Sequence, residues 1–533
     1  MKKASLTSAV ANKAAAECAR ILFSCDNLPS KAQLQRLKGK ASKKFGSAHV
    51  VGNAQIREQI PEDLMTPALS RLLKTKDVRS LSGISAVAIM AKPALCPGEC
   101  IYCPRGKNAP QSYTGFEPAT MRAIQNNYDA FRMVSVRLAQ FKAVGHGPQK
   151  CELIVMGGTF NAQSEKYQKQ FVKRAFDAFN NKTAKTLEEA FKLNEKAKHR
   201  VIGLTFETRP DFAGKTKVSK LVDLGATRVE LGVQSIAKGM YEKVRRNHSV
   251  DDVVQATTNC KNAFLKVGYH MMPGLFSTPK KDVAMFKKIF SDSRFKPDML
   301  KIYPCLVMPN TVLHDLWKKG EFTPYAEEEA IKVLLEIKKF VPKWVRIMRV
   351  ERDIPSDQIA GGITSTNLRQ MALEQLKKKN YECQCIRCRE AGLRSRDGTK
   401  IDFENASLER IDYNASNGTE VFLSFEDKSS NSLLGFLRLR SPSVDVVRPE
   451  ISKQTAGVRE LHVYGEQVPI GARKKKAVQH KGFGAQLLDE AERISKEEFD
   501  AGKLLVISGV GVREYYRKQG YKLQGAYMAK GLR

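Results

Sequence analysis

Acidic residues are in short supply: 56 Asp and Glu stand against 90 Lys and Arg, which leaves a formal net charge of +34. The sequence pI of about 9.7 follows from that imbalance. So large an excess points to a polyanionic partner, nucleic acid before any other; the alternative is a merely basic surface or a high-salt or hot habitat rich in Lys. No apolar run approaches membrane-spanning length, so no spanning helix is expected. No secretory leader is expected either: behind Met1-Lys2-Lys3 the apolar stretch is broken by Asn12, Lys13, Glu17 and Arg20. The eleven cysteines are odd in number and clustered, which favours metal ligation in a reducing, cytoplasmic setting over disulfides. At 533 residues the chain is too long for one core, and two or three domains are expected.

What is there begins with a loop. Ile84 to Met90 is short, apolar and partly β-branched and reads as a buried strand. It delivers Cys96, Cys100 and Cys103 at spacing C-x3-C-x2-C, with Tyr102 just before the third cysteine. Three thiolates on one tight loop can ligate three irons of a cubane cluster and leave the fourth open. The alternative is a zinc knuckle, but no second ligand pair follows Cys103 within the next forty residues.

Residues 1–50 carry ten Lys or Arg against Glu17 and Asp26. An Ala-rich helix is expected over 4–24, followed by the basic group Lys31, Arg36, Lys38, Lys40, Lys43 and Lys44, which suits phosphate contact or is a solvated face. Residues 51–83 read as a linker. From 84 to about 350, strands at 84–91, 151–156, 201–206, 227–233, 268–273, 298–303 and 344–350 alternate with helical stretches such as 118–143, 164–180, 250–266 and 325–340. Repeated β-α units predict an α/β fold with a parallel sheet, closed into a full or partial barrel whose functional residues follow the strands. Gly157, Gly158 and Thr159 follow the second strand, Glu207 and Arg209 the third; Gln234 ends the fourth and His270 the fifth. Glu207 and Arg209 could instead form a local ion pair, and His270 could be a satisfied core residue.

Residues 351–400 form a transition holding Cys383, Cys385 and Cys388. This triad could bind zinc, with Cys305 a candidate fourth ligand, or be three free thiols. From 401 to 533 the pattern changes to strand-like runs at 419–426, 433–440 and 458–464. The basic loop Arg473 to Lys476 follows, and then Gln479, Gly482, Phe483, Gly484 and Ala485 open a helix. Gln-x-x-Gly-x-Gly at a helix start behind a strand is a phosphate cradle.

The cysteine loop resembles the signature of the radical S-adenosylmethionine (SAM) enzymes. Likeness to that family implies a [4Fe-4S] cluster on Cys96, Cys100 and Cys103, with SAM on the open iron and cleaved to a 5′-deoxyadenosyl radical. The last part, closing on Tyr515-Tyr516-Arg517-Lys518-Gln519-Gly520-Tyr521, resembles the GNAT acyltransferases, where a tyrosine at the position of Tyr516 assists the leaving thiol as an acid. Both halves together resemble the catalytic subunit of the Elongator complex and its single-chain archaeal and bacterial relatives. Further matching stretches are Gln111 to Pro118, Ile154 to Phe160, Glu207 to Asp211, Arg352 to Pro355, Arg459 to Gly465 and Ile507 to Gly511.

The resemblance implies four parts: a basic helical N-terminal tRNA-binding segment (1–80), a radical SAM barrel (81–350), a linker with the cysteine cluster (351–400) and a GNAT-type α/β acetyltransferase domain (401–533). It implies an enzyme that uses SAM and acetyl-CoA to form 5-carboxymethyluridine at the wobble position of tRNA. SAM would be held around Gly157, Gly158, Thr159, Glu207, Arg209 and Gln234, and acetyl-CoA by Glu460, Leu461, His462, Val463, Gln479, the turn Gly482 to Ala485, Lys150 and Tyr516. The short x3 gap between the first two cysteines, longer in eukaryotic members, suits a single-chain member that needs no other Elongator subunit; a homodimer is compatible with it. Two readings compete: a protein lysine acetyltransferase whose iron–sulfur domain is structural, and a tRNA-binding scaffold with dead cofactor sites.

Overall fold

The computed structural model describes residues 2–25, 27–74, 83–443, 445–464 and 482–532. Two compact units are present, one formed by Met1–Ser85 with Ser135–Gln149 and the other by Ala86–Val134 with Lys150–Arg533. Among the described residues, no helix is long and apolar enough to cross a membrane.

The first unit contains the expected Ala-rich helix, Lys2–Phe23, and a second, Lys31–Lys44, which starts at Ser30 in a capping box with Gln33. Residues 51–74, expected as linker, instead contribute the short helices Asn53–Glu58 and Pro67–Leu72. Their Ile56 and Leu69 join Ala14, Cys18, Leu22 and Leu34 in one apolar core. Short helices carry too few turns to show a periodicity, which is why the sequence did not reveal them. Lys31, Arg36, Lys40, Lys43 and Lys44 are exposed, whereas Lys38 is buried and donates to Asn53 at 2.9 Å.

In the second unit, β1 (Ile84–Met90, of which Ala86 onward belongs to this unit), β2 (Lys150–Met156), β3 (Arg200–Thr208), β4 (Arg228–Gln234), β5 (Lys266–Met271), β6 (Met299–Ile302) and β7 (Arg346–Val350) form one sheet. Their order in space is their order in sequence, and β1 and β7 are its two edges, so the barrel is partial. The pairs from β2 to β7 are parallel, and helices such as Glu165–Asn180 and Val250–Asn262 make the crossovers. The single helix expected over 118–143 is two, Pro118–Gln125 and Ala130–Ala143. The break falls at Asn127 and Tyr128, with φ of 51° and 55°, outside the right-handed helical region.

A second sheet takes β8 (Ser407–Ala415), β9 (Gly418–Asp427), β10 (Ser432–Ser441), β11 (Thr455–Val463), β12 (Lys503–Val506), β13 (Lys522–Gln524) and β14 (Tyr527–Gly531), in the order β13-β14-β12-β11-β10-β9-β8. Only β11 and β12 run parallel; the other neighbours are antiparallel. The helix Phe483–Glu497 crosses between β11 and β12 and buries Leu487, Leu488, Ala491 and Ile494 against Leu423, Leu437, Val458 and Leu504.

Candidate functional site

The C-terminal ends of the barrel strands meet at a cavity of about 180 Å³ lined by Cys96, Cys100 and Cys103. Two backbone bonds hold the cysteine loop: Glu99 N–H donates to the Arg245 carbonyl and Ile101 N–H to the Val244 carbonyl, both at 3.2 Å. At Gly98 a Cβ would fall 1.8 Å from Nη1 of Arg209, so any larger residue would displace that guanidinium. Cys100 is buried, and its thiol is pushed down to about 5 by the hydrogen bond from Cys103 and, against burial, by Arg246. A thiolate is the form that binds metal.

Gly158, Thr159, Glu207, Arg209, Gln234 and His270, all singled out from the sequence, line the same cavity. Gly157 does not. Its φ of 109° turns the backbone beside Ala91, where a Cβ would meet the Ala91 nitrogen at 3.2 Å. Among the residues that line the cavity, Thr159 Oγ1, Arg209 Nη1 and Gln234 Oε1 are buried without a hydrogen-bond partner among the described residues. Gln234 has φ of 66°, a conformation uncommon for such a side chain. Buried polar atoms left unpaired are costly, so these fit a polar ligand that completes them. Three thiols on one loop and these convergent polar groups suit an open iron–sulfur cluster with SAM beside it.

The cavity floor is charged. Glu207 does not pair with Arg209, which is bonded to Asp211 at 2.9 Å; it accepts from Lys301 at 2.9 Å and from the Tyr113 hydroxyl at 3.2 Å. Lys301 also bonds Glu230, whose Oε2 lies 2.8 Å from His270 Nε2, so His270 is a paired residue facing the cavity. Burial alone would lower Lys301, but Glu207 and Glu230 outweigh it and hold the ammonium well above its usual range. Lys301 and Glu230 were not found from the sequence. They meet through strand register, Glu207 opposite Glu230 and His270 opposite Lys301.

Of the acyl-carrier candidates, Glu460 to Val463 lie on β11 of the second sheet. β11 pairs with β12 only from Thr455 to Val458, and after Ile507 N–H donates to the Val458 carbonyl at 3.1 Å the two strands part. Glu460 to Val463 lie on the part of β11 beyond that split. Leu461 and Val463 pack on the core beneath the helix Phe483–Glu497. Glu460 is committed to Arg438 at 2.9 Å and Lys266 at 3.8 Å. His462 stacks on Phe436, and burial pushes it down to about 4. The backbone edge, rather than these side chains, is therefore what β11 offers a ligand.

Gly482, with φ of 79°, opens the helix. Phe483 is buried against Phe425 at 4.6 Å, and Ala485 N–H donates back to the Gly482 carbonyl at 3.0 Å. At Gly484 a Cβ would sit 3.0 Å from the Tyr515 hydroxyl. Tyr516 is only 6% exposed and lies in the core, and burial raises its pKa so that it stays protonated. Tyr515, missed by sequence reasoning, is the exposed member of the pair. Gln479 and the basic loop Arg473 to Lys476 lie outside the described residues.

Lys150 is the first residue of β2, six residues or roughly 20 Å from the cavity end of that strand. It pairs in register with Arg200, against whose Cβ a side chain on Gly511 would press at 2.5 Å. Burial lowers the pKa of Lys150. The sulfurs of Cys383, Cys385 and Cys388 lie within 4.8 Å of one another, and Lys338 Nζ is 3.8 Å from two of them. Cys305 does not join them: it is buried with Ile101, Val307 and Leu313 beside the first cysteine loop, because β6 ends at the cavity rim.

Residues 93–289 match the Radical SAM superfamily, and residues 297–378 match the Radical SAM C-terminal domain. The chain is 47% identical over 513 residues to the tRNA uridine(34) acetyltransferase of Methanocaldococcus infernus, covering 94% of this chain and 96% of that protein. It is 40% identical over 512 residues to human Elongator complex protein 3, covering 94% and 93%. The structure of the archaeal Methanocaldococcus infernus Elp3 lacking its N-terminus (1-46) superposes with a TM-score of 0.76 at 45% identity, covering 84% of this chain and 99% of that one.

Proposed function

We propose that this chain, which belongs to the family of tRNA uridine(34) acetyltransferases and Elongator complex protein 3, is an enzyme that modifies the wobble uridine of tRNA with a two-carbon unit from acetyl-CoA, giving 5-carboxymethyluridine. The observation that carries the reading is the pairing, in one compact unit, of a thiol-lined cavity holding unpaired polar atoms with a split parallel strand pair and a glycine-led helix start. Carbon 5 of uracil is not a nucleophile toward a thioester, so an acyl-carrier site alone would not reach it.

Cys96, Cys100 and Cys103 would hold the [4Fe-4S] cluster, and Thr159, Arg209 and Gln234 would complete their bonding on SAM. Bound together, these groups supply one-electron chemistry able to remove hydrogen from an unactivated carbon. Glu207, Lys301 and Glu230 keep a fixed array of charge beneath the cavity and, with His270, would orient polar groups of the substrate. The backbone of Glu460 to Val463 and the first turn after Gly482 would bind the pantetheine arm and pyrophosphate of acetyl-CoA. Lys150 would contribute to acetyl-CoA binding, and Tyr516 would hold a proton for the departing thiolate. An unpaired anticodon base is the kind of RNA target that can enter such a cavity; taken by itself, the helix Lys31–Lys44 of the first unit presents exposed lysines that suit RNA phosphates. Cys383, Cys385 and Cys388 would bind zinc as a structural site.

The competing assignment is acetyl transfer to protein lysines. Acetyl-CoA turnover measured with tRNA and with a basic protein substrate separates the two. Dependence on tRNA is expected; dependence on the protein lysine would reject the proposal.

A further inference from the structure

Arg246 is 5% exposed, and each of its nitrogens has a partner. Nη1 lies 2.9 Å from the Tyr102 hydroxyl and 3.4 Å from Cys100 Sγ. Nη2 donates to the Gly232 carbonyl, and Nε to Nε2 of His248 at 2.8 Å. Burial and Arg246 push His248 down to about 4, so it stays neutral and accepts that bond. The backbone is fixed as well: the Arg246 carbonyl accepts from Arg209 Nη2 at 2.8 Å, and the carbonyls of Val244 and Arg245 hold the cysteine loop. No carboxylate pairs with Arg246 among the described residues. A buried guanidinium without an acid is costly unless some other negative charge stands beside it. Here the atom beside it that would carry such charge, as a ligand of the cluster, is Cys100 Sγ, 3.4 Å from Nη1.

We propose that Arg246 is a positioning residue whose fixed charge and hydrogen bond to Cys100 Sγ set the reduction potential of the cluster on Cys96, Cys100 and Cys103. The inference rests on the reading of those cysteines as cluster ligands. Reduction adds one electron to the cluster, taking [4Fe-4S]2+ to [4Fe-4S]1+, and so makes the site more negative. A cation held against one ligand stabilises the reduced form through charge and through the bond to sulfur. The forked guanidinium serves Cys100 and Tyr102 at once, which a lysine ammonium cannot do in the same way.

The test uses the full chain, reconstituted anaerobically as wild type, Arg246→Lys and Arg246→Gln, with iron and sulfide counted and the one-electron midpoint measured by EPR during titration with dithionite. The expected order is wild type highest, the lysine variant intermediate and the glutamine variant lowest, with reduction of the last at least tenfold less favourable, or about 59 mV for a one-electron couple. Should the glutamine variant hold no iron, the lysine variant decides: a midpoint below wild type supports the role. Equal midpoints overturn it, and so does loss of iron from both variants, which would make Arg246 a scaffold for the loop. A wild-type protein without a four-iron cluster would instead defeat the reading of the site, and the inference with it.

Discussion

Arg459 of β11 reaches into the barrel and donates through Nη1 to Asp298 at 2.9 Å, with both side chains fully buried. The strand assigned to the acyl carrier is thereby tied to the residue just before β6, whose Lys301 stands in the cavity floor. Glu420 accepts from the same arginine at 2.9 Å, and Lys261 lies 3.4 Å from Asp298.

Asp298→Asn should destabilise the protein by about 3–5 kcal/mol, because it strands buried cations. Denaturant unfolding measures this; a change below about 1 kcal/mol would mean the network relaxes without cost. Burial alone would raise the Asp298 carboxyl, but Arg459, Lys261 and Arg438 outweigh it and hold it well below the usual carboxylate range. Its contribution is therefore fully present above the unfolded value of about 3.9 and is lost as pH falls below it. Wild type should lose more stability than the variant on acidification below about pH 4.

Cys100→Ser should abolish tRNA modification while leaving tRNA affinity within a few-fold. Filter binding alongside nucleoside analysis checks both, and a large affinity loss would make the loop an RNA or folding element.

Tyr516→Phe removes only a hydroxyl from the core, so the melting temperature and the cluster should be retained while acetyl-CoA turnover falls at least tenfold. Tyr515→Phe is the control. If it is the variant that loses turnover, the acid is Tyr515, whose hydroxyl stands by Gly484.

Cys385→Ser should remove bound zinc and leave iron unchanged, as read by elemental analysis of reconstituted protein. Zinc absent from the wild type would leave the triad as thiols around Lys338.

Most of the barrel was legible in the sequence, because its strands carry short, largely apolar and partly β-branched stretches, and the motifs sit where parallel strands end. The break at Asn127 and Tyr128 was not, since neither Gly nor Pro marks it. β8 escaped because it is an edge strand whose residues alternate between exposed and half-buried over most of its length, which leaves a weak apolar signal. The charged floor escaped for another reason: Glu207, Glu230, His270 and Lys301 are far apart in the chain, and only neighbouring strands in register bring them together. Arg246 likewise looks like one more basic residue until Tyr102 and Cys100 are seen beside it.

The most direct measurement is mass spectrometry of tRNA nucleosides after anaerobic incubation of the reconstituted chain with SAM, dithionite, acetyl-CoA and unmodified tRNA. The expected result is 5-carboxymethyluridine that requires every component and disappears with Cys100→Ser. Unmodified uridine in a reaction where the cluster is intact, with acetyl groups found on added protein lysines, would contradict the proposed reaction.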